Sequence, residues 1–447
     1  MLEKTLEQIN SKNLTIEIFG LGYVGFPLAV RLASNNFFVR GIDVNKKRIN
    51  RLQNNKLYDS EINLEKTFIQ CSQNHNLLFS LFPEISDTSK IAIICVPTPI
   101  PSNDIKSDMF VNSAVKKFLK TAKKGDVIIV ESSVEIGTID NIQKIIEDEG
   151  FQVGFDFGLS FCPERIDPQN KKWHLENIPR IIYSSDNLTF EISKKIYQYV
   201  NNSNLLRVSS SKVAETVKSF ENTFRLVNIS LVNELAILCD HLGINVSEVI
   251  NMAATKPFGF MPFYPGAGVG GHCIPKDPLF LLESSKNFGS EFSTIENALK
   301  INTLVPRYIV KSIEHILKEH NLPKKILICG LAYKPDIEDM RDSPGFRILQ
   351  IMIENKFDCS VYDPFFNPDL MDKYIAENHL KFKNFNVLTS LDTNIIEDFS
   401  CMCIVQHHSK SKFRINEIIK KSLIPVVYDC QNKLDLESKT IVKSFGN

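Results

Sequence analysis

One of the ten cysteines is set apart by its neighbours. Cys273 lies in the stretch 264–278, YPGAGVGGHCIPKDP, among four glycines and three prolines. Glycine lets backbone approach a bulky polar ligand and proline stiffens the turns between, so such a loop can hold a reactive side chain in place. Asp277-Pro278 then opens the apolar run LFLL. Asp as N-cap with Pro at the first helical position predicts a helix start there. A thiol four residues ahead of that N-terminus, with Lys276 close by, is expected below its free pKa of about 8.5, as a thiolate nucleophile requires. The same composition also suits an inert structural cysteine, and the rest of the chain has to decide.

A nucleophile of this kind needs elements that bring it a partner. Residues 14–19, LTIEIF, read as a buried strand, followed at once by GLGYVG (20–25) and an apolar helical run to Ala33. A second strand, FFVRGID, ends on Asp43, 18 residues after Gly25 and close to the roughly 20 expected of a dinucleotide-binding fingerprint. Gly20 makes the tight turn, Gly22 admits the pyrophosphate, and Gly25 lets helix and strand pack. Asp43 would accept from the ribose hydroxyls and repel a 2′-phosphate, which favours NAD over NADP. The strands IAIICVP (91–97) and DVIIVESS (126–133) continue the alternation and end in hydroxyl-bearing loops, which makes Thr98 and Ser133 candidates for the cofactor edge. A further strand, GLSFCPERID (158–167), places Glu164 and Arg165 near the same edge.

From Ser209 the period changes. Apolar residues at 213, 217, 220, 224, 227, 231, 235, 238 and 242 predict one long amphipathic helix ended by Gly243. Lys218 and Asn222, one turn apart, share a face offset from that stripe. A second long helix is expected from about 293 to 320 with Pro306 as a kink. Long helices between two α/β units suggest a spine and a dimerisation surface. From Lys324 the α/β pattern returns, with KKILICG echoing TIEIFG, strands at 359–364, 401–406 and 425–430, and no second GxGxxG. Lys334 and Arg341 are the cations there that could hold phosphates. Cys401, Cys403, His407 and His408 lack paired CxxC ligands, so no metal site is expected.

The 447 residues carry 52 Lys+Arg against 52 Asp+Glu, without a long block of one sign. Neither nucleic acid nor an anionic membrane is an expected partner. No apolar run approaches the roughly 18 residues of a membrane span, and MLEKTLEQINSKN does not read as a signal peptide. Scattered cysteines without a framework point to reduced thiols and a cytoplasmic protein.

Taken together, GLGYVGFPLA, CVPTP, ESSVEIGT, FCPER, KxxxN at 218–222, GGHCIPKDP and GLAYKPDIEDMRDSP resemble, in that order, the UDP-sugar 6-dehydrogenases. The resemblance implies two Rossmann-like doubly wound α/β domains, 1–208 for NAD and 323–447 for UDP. They are joined by a central long-helix domain, 209–322, that carries the cysteine loop and an interface for a homodimer or higher homo-oligomer. It implies a four-electron oxidation of a hydroxymethyl to a carboxylate by two NAD⁺, with Cys273 as nucleophile. Lys218 and Asn222 would hold the reacting oxygens, Asp277 would assist proton transfer, and Glu164 the water step. Cofactor residues carried over are Gly20, Gly22, Tyr23, Val24, Gly25, Asp43, Arg48, Thr98, Ser133 and Arg341. Substrate residues are Glu164, Arg165, Lys218, Asn222, Tyr264, Gly268, Gly270 and Lys334.

The stretch 254–273 looks most like the branch acting on UDP-N-acetylglucosamine, implying precursors for surface polysaccharide, with UDP-N-acetylmannosamine and UDP-glucose as alternatives. Ala267, Lys276 and Pro168, the last where a second glutamate is usual, depart from the family pattern. A two-electron β-hydroxyacid dehydrogenase would need no cysteine loop and no downstream Rossmann-like domain. A non-catalytic NAD-binding protein would need none of Cys273, Lys218 and Asp277.

Overall fold

Short β-rich runs with near-continuous burial build both sheets. The computed structural model describes residues 1–99, 106–166, 170, 172–271, 273–377, 380, 385–434 and 438–447, so the departure at Pro168 lies outside the described residues. The first sheet holds β1 (Thr15–Phe19), β2 (Phe38–Ile42), β3 (Leu77–Ser80), β4 (Lys90–Ile94), β5 (Val127–Val130), β6 (Gly158–Phe161), β7 (Arg180–Ser184) and β8 (Leu205–Arg207). Their order is β3-β2-β1-β4-β5-β6-β7-β8. β1, β4, β5 and β6 are buried at every position, as strands covered on both faces must be. Pairing is parallel as far as β6; β7 then runs antiparallel to it. One apolar cluster lies on each face, around Phe26, Leu32 and Phe68 on one side and Phe118, Ile142 and Phe157 on the other.

The second sheet repeats the plan. It holds β9 (Lys325–Cys329), β10 (Asp358–Tyr362), β11 (Phe385–Leu388), β12 (Cys401–Ile404), β13 (Val426–Asp429) and β14 (Ile441–Ser444), in the order β11-β10-β9-β12-β13-β14. All of its pairings are parallel. Both sheets therefore show the doubly wound order, in which ligands collect beyond the carboxyl ends of the strands beside the first. The expected α/β class with two Rossmann-like sheets and long helices between them is the observed fold. No helix among the described residues is long and apolar enough to cross a membrane.

Compactness divides the chain in two: Met1–Glu221 with Leu279–Gly289, and Asn222–Pro278 with Ser290–Asn447. The second part of the long helix Ser211–Leu242 and the helix Ser293–Glu319 pack with the second sheet, in a cluster that includes Ala236, Ile309, Ile313, Ile328 and Phe346. Pro306 sits inside that second helix, as its sequence requires.

The structure sharpens two local readings. The apolar stripe of the long helix is not its buried face: Val213, Phe220, Phe224, Leu231, Leu238 and Leu242 are exposed. The buried face carries Ala214, Lys218, Asn222, Thr223, Leu226, Ser230, Asn233 and Ala236. Periodicity located an apolar face but could not say that one chain leaves it uncovered. The N-terminal stretch, read only as polar and mixed in charge, forms a helix over Leu2–Ser11 that buries Leu2, Thr5 and Ile9. The Thr5 hydroxyl donates to the Gly125 carbonyl at 2.6 Å.

Candidate active site

In the first unit, the turn after β1 has the shape of a phosphate cradle. Gly20 has φ +91°, and a Cβ there would meet the Cys95 carbonyl oxygen at 2.7 Å. At Gly25, the first residue of the helix Gly25–Ser34, a Cβ would collide with the Gly20 carbonyl oxygen. At Gly22 a Cβ would meet nothing within 4 Å, so the loop is open where the fingerprint lets a pyrophosphate approach. Tyr23 is half exposed, and Val24 precedes the helix, which no side chain caps; the Phe26 N–H donates to the Gly22 carbonyl at 3.1 Å. Asp43 ends β2 with Oδ2 accepting from the Leu21 N–H at 2.9 Å and Oδ1 from the Asn45 N–H at 2.8 Å. Each oxygen keeps a second lone pair for a ribose hydroxyl. These residues fit a dinucleotide.

Arg48, which the resemblance assigns to the cofactor, is placed against the glycine turn. It is buried, donates to the Leu21 carbonyl at 3.0 Å and pairs with Glu61 through two nitrogens. It therefore braces the glycine turn from beneath. Thr98 is buried and Ser133 half-buried, beyond β4 and β5 respectively. Glu164, beyond β6, accepts at Oε1 from the N–H groups of Arg165 (2.5 Å) and Ile166 (2.6 Å). Arg165 forms a bidentate pair with Glu221 on the long helix, at 2.5 and 3.2 Å, and donates to the Pro179 carbonyl at 2.8 Å. Lys218, one turn earlier on that helix, is buried rather than on a solvated face.

In the second unit, the glycine-rich loop is clamped by two buried asparagines that the sequence reading did not single out. Asn233 accepts from the Gly266 N–H at 3.0 Å. Asn302 accepts from the Val269 N–H at 2.6 Å and donates back to the Val269 carbonyl at 3.1 Å. Gly268 has φ +121°, with a Cβ position only 3.0 Å from Asn302 Oδ1. At Gly270 a Cβ would meet the Asp342 carbonyl oxygen at 2.6 Å, and at Gly271 the Tyr333 ring at 2.7 Å. The Gly271 N–H donates to the Arg341 carbonyl at 2.8 Å. The cysteine loop and the loop carrying Lys334 are thus built against each other. Tyr264 is half exposed, its hydroxyl donating to Asn251 at 2.8 Å. The Arg341 guanidinium pairs with Asp339, its shortest approach 2.6 Å.

Cys273 is exposed; Cys95 is half-buried and the other eight cysteines are buried, none of the ten in a disulfide. Its carbonyl accepts from the Lys276 and Asp277 N–H groups at 3.2 and 2.9 Å, starting the helix Asp277–Asn287. Asp277 is the first helical residue and not an N-cap. Its Oδ2 accepts from Asn222 Nδ2 at 2.6 Å, a contact that spacing could not reveal. Asp277 is fully buried, and its Oδ1, 3.8 Å from the Lys276 ammonium, has no hydrogen-bond partner.

His407 and His408, considered above for a metal, serve the fold: His407 bonds Asp429 at 2.8 Å and His408 bonds Asp363 at 3.1 Å. Among the described residues no cluster of three or more His, Cys, Asp or Glu could hold a metal ion.

Three family models match consecutive segments: the NAD binding domain of the UDP-glucose/GDP-mannose dehydrogenase family at residues 14–201, its central domain at 212–304, and its UDP binding domain at 327–436. This chain belongs to that family. As a member it is an NAD-using oxidoreductase with a UDP-binding domain. It is 36% identical over 352 residues to the UDP-N-acetyl-D-mannosamine dehydrogenase of Methanococcus aeolicus, covering 78% of each chain. It is 32% identical over 371 residues to the UDP-N-acetyl-D-glucosamine 6-dehydrogenase of Pseudomonas aeruginosa, covering 81% of this chain and 86% of that one. The solved UDP-D-ManNAc dehydrogenase of Pyrococcus horikoshii superposes with a TM-score of 0.83 at 27% identity, over 97% of this chain and 99% of that one.

The residues that sequence reasoning did not single out each hold a residue that it did or the loop around one: Asn233 and Asn302 bond the glycine-rich loop, Glu221 pairs with Arg165, and Arg180 lies against Glu164 and Glu131. Asn and Glu at buried positions of long helices were the available signal, since such side chains are seldom buried without a partner.

Proposed function

We propose that this protein oxidises C6 of a UDP-N-acetylhexosamine to the carboxylate through a covalent adduct on Cys273. The observation that carries the reading is that the chain's one exposed thiol leads straight into the buried Asp277–Asn222 pair. Bound at the glycine turn and Asp43, NAD⁺ supplies the hydride acceptor for each of the two oxidations.

Lys218 and Asn222 hold the substrate's reacting oxygen, the ammonium and the amide stabilising its negative charge as it develops. Loss of the hydroxyl proton and of a hydride from C6 leaves an aldehyde. The Cys273 thiolate adds to that carbonyl carbon and the oxygen takes up a proton, which restores an sp³ centre still bearing a hydrogen. Loss of that hydrogen as hydride, and of the hydroxyl proton, leaves a thioester. Water, deprotonated with help from Glu164 or Asp277, attacks the acyl carbon, and the sulfur leaves as thiolate. The sum is one alcohol, one water and two NAD⁺ giving one carboxylate, two NADH and three protons. Lys334, Tyr264 and the backbone at Gly268 and Gly270 are assigned to the UDP-sugar, and Arg341, Thr98 and Ser133 to the cofactor.

The higher identity to the mannosamine relative favours UDP-N-acetylmannosamine as substrate, and the Pseudomonas relative supports the glucosamine epimer as the second reading. Ten cysteines, none in a disulfide, fit a cytoplasmic setting. The uncovered stripe Val213–Leu242 is assigned to a second copy, so that Leu231→Glu should convert a dimer to a monomer in sedimentation.

Limiting amounts of each UDP-sugar, incubated with excess NAD⁺, should give two NADH per sugar with one epimer and little with the other or with UDP-glucose. A yield of one NADH removes the four-electron reaction. Cys273→Ser should still bind both ligands yet lose acid formation by several orders of magnitude, the scale on which loss of a covalent nucleophile acts. Near-normal turnover would exclude the thiol.

A further inference from the structure

The first unit buries two charges that the reaction above does not use, beside Glu164, which it does. Arg180 is fully buried, as is Glu131, the residue that follows β5. Placing an ion there costs several kcal/mol by order of magnitude, so a guanidinium at this depth needs a reason. Its Nη2 lies 2.9 Å from Glu131 Oε2 and 3.5 Å from Glu164 Oε2, and donates to the Cys162 carbonyl at 3.3 Å. Its plane stacks on the Tyr197 ring at 4.5 Å, and the Tyr197 hydroxyl donates to Glu131 Oε1 at 2.5 Å. Nε and Nη1 of Arg180, and Glu164 Oε2, have no hydrogen-bond partner.

Topology says why Arg180 is here. It is the first residue of β7, the strand antiparallel to β6, paired Ser160 to Ser184 and Phe161 to Tyr183. In a parallel strand the first residue would lie at the edge away from the ligands. Reversing β7 carries Arg180 to the carboxyl ends of β5 and β6, where Glu131 and Glu164 stand. A close bidentate pair would serve Glu131 alone. The observed guanidinium instead divides one nitrogen between two carboxylates.

We propose that Arg180 is the positioning residue for Glu164, and that Glu131 and Tyr197 set how much of its charge Glu164 receives. The inference rests on Glu164 being the base of the water step. Arg180 aims Glu164 Oε2, while the Arg165 and Ile166 N–H groups hold Oε1. The other titratable groups around this cluster are Cys95, Cys162 and Tyr197, each pushed up by burial and so neutral through the assayed range, and Arg165 with its partner Glu221. Burial also pushes Glu131 up, against the pull of Arg180, as expected when one cation serves two anions.

The test measures kcat against pH for the full-length enzyme with NAD⁺ and its preferred UDP-N-acetylhexosamine, together with NADH released in the first turnover. Glu164→Gln should keep the rapid release of two NADH and slow steady turnover about 10²-fold, the scale of a general base. Glu131→Gln leaves Arg180 to Glu164 alone, and should move the rising limb of the profile to lower pH by about one unit. Arg180→Met should move it to higher pH and lower kcat about tenfold at neutral pH, with KM for the sugar within about threefold. Arg180→Lys, which keeps the charge, should return the limb close to its original place. A merely structural role would lower Tm in these variants without opposite shifts of the limb. If Glu164→Gln is impaired while the limb stays fixed in Glu131→Gln and Arg180→Met, the positioning role is overturned and the base role stands. If Glu164→Gln turns over normally, the base role falls and this proposal with it. Should Arg180→Met not fold, Glu131→Gln decides alone, since it keeps the side-chain shape.

Discussion

The two Rossmann sheets of this chain share a strand order over six strands and differ in the turn after the first. After β1, Gly20 (φ +91°) donates its N–H to the Ile42 carbonyl; after β9, Gly330 (φ +89°) does the same to Tyr362. Gly25 packs on the Gly20 carbonyl, and Gly345 on that of Gly330. Five residues separate the first pair and fifteen the second. The second unit has thus kept the tight turn and the packing glycine, and placed ten further residues between them. That insertion carries Tyr333, Lys334 and Arg341, and Tyr333 and the Asp342 carbonyl press against the cysteine loop. The acids differ as well. Asp43 is half-buried and can still accept, whereas Asp363 is buried, accepting from the N–H groups of Leu331 (2.7 Å) and Ala332 (3.0 Å) and from His408. One framework can hold a dinucleotide or be sealed against one, according to what fills the turn.

The largest effect should come from the packing glycines. Gly25→Val drives a side chain into the Gly20 carbonyl and the Cys95 side chain, and should abolish NAD⁺ binding and strongly destabilise the first unit. At Gly345 the nearest atom to a Cβ is the Gly330 carbonyl oxygen at 3.0 Å, so Gly345→Ala should cost only about 1–3 kcal/mol. Thermal unfolding and NAD⁺ titration of both variants check this. Equal losses would mean that the insertion has not relaxed the second turn.

The paired acids should separate binding from stability. His408 Nδ1 accepts from the Asp336 N–H at 3.0 Å, so its Nε2 carries the proton and donates to Asp363. Asp363→Ala would strand three backbone N–H groups, those of Leu331, Ala332 and Phe365, and one imidazole N–H. At about 1–3 kcal/mol for each buried unpaired donor, it should lose at least about 3 kcal/mol in denaturant titration. Asp43→Ala frees two N–H groups nearer to solvent. It should lose less stability and weaken NAD⁺ about tenfold or more, with discrimination against NADP⁺ reduced. If the Asp43 variant keeps its NAD⁺ affinity, the reading of the ribose acceptor fails.

These pairs also show how far a sequence can be read. The first turn was legible because glycine, strand and acid fall within thirty residues at fixed offsets. In the second, KKILICG and the cations Lys334 and Arg341 were legible but the packing glycine was not, since ten inserted residues hide Gly345 from any short pattern. Cys273 and its loop stood out by composition. The Asn222–Asp277 bond, the Asn233 and Asn302 clamps and the Arg180 cluster did not, because each joins residues far apart in the chain. The stripe at 213–242 was found correctly as apolar, and its exposure depends on what one chain leaves uncovered.

The smallest contrast is in acid response. Burial pushes Glu215 to about 7, although the Gly137 and Ile139 N–H groups bond it, and Asp126 to about 6. Both belong to the first unit, and both folded values lie above the ordinary 4.5 and 3.8. The folded state then binds more protons than the unfolded one, so stability rises as pH falls from about 7 towards 4.5. In the second unit burial pushes Asp429 up, but the His407 bond and charge and the Gln431 and Lys433 N–H groups outweigh it and hold the carboxyl below 3.8. Its contribution is present at neutral pH and lost only as pH falls through that lowered value. Asp240, raised by burial, partly offsets it. Hydrogen exchange, corrected for intrinsic rates, should therefore show β5 and the helix Thr138–Asp148 better protected at pH 5.5 than at 7.5. β13 should change little across that range and open only below about pH 4. Parallel changes in both units would mean that the buried acids of the first are ionised at neutral pH after all, and that the two sheets differ in their turns but not in their cores.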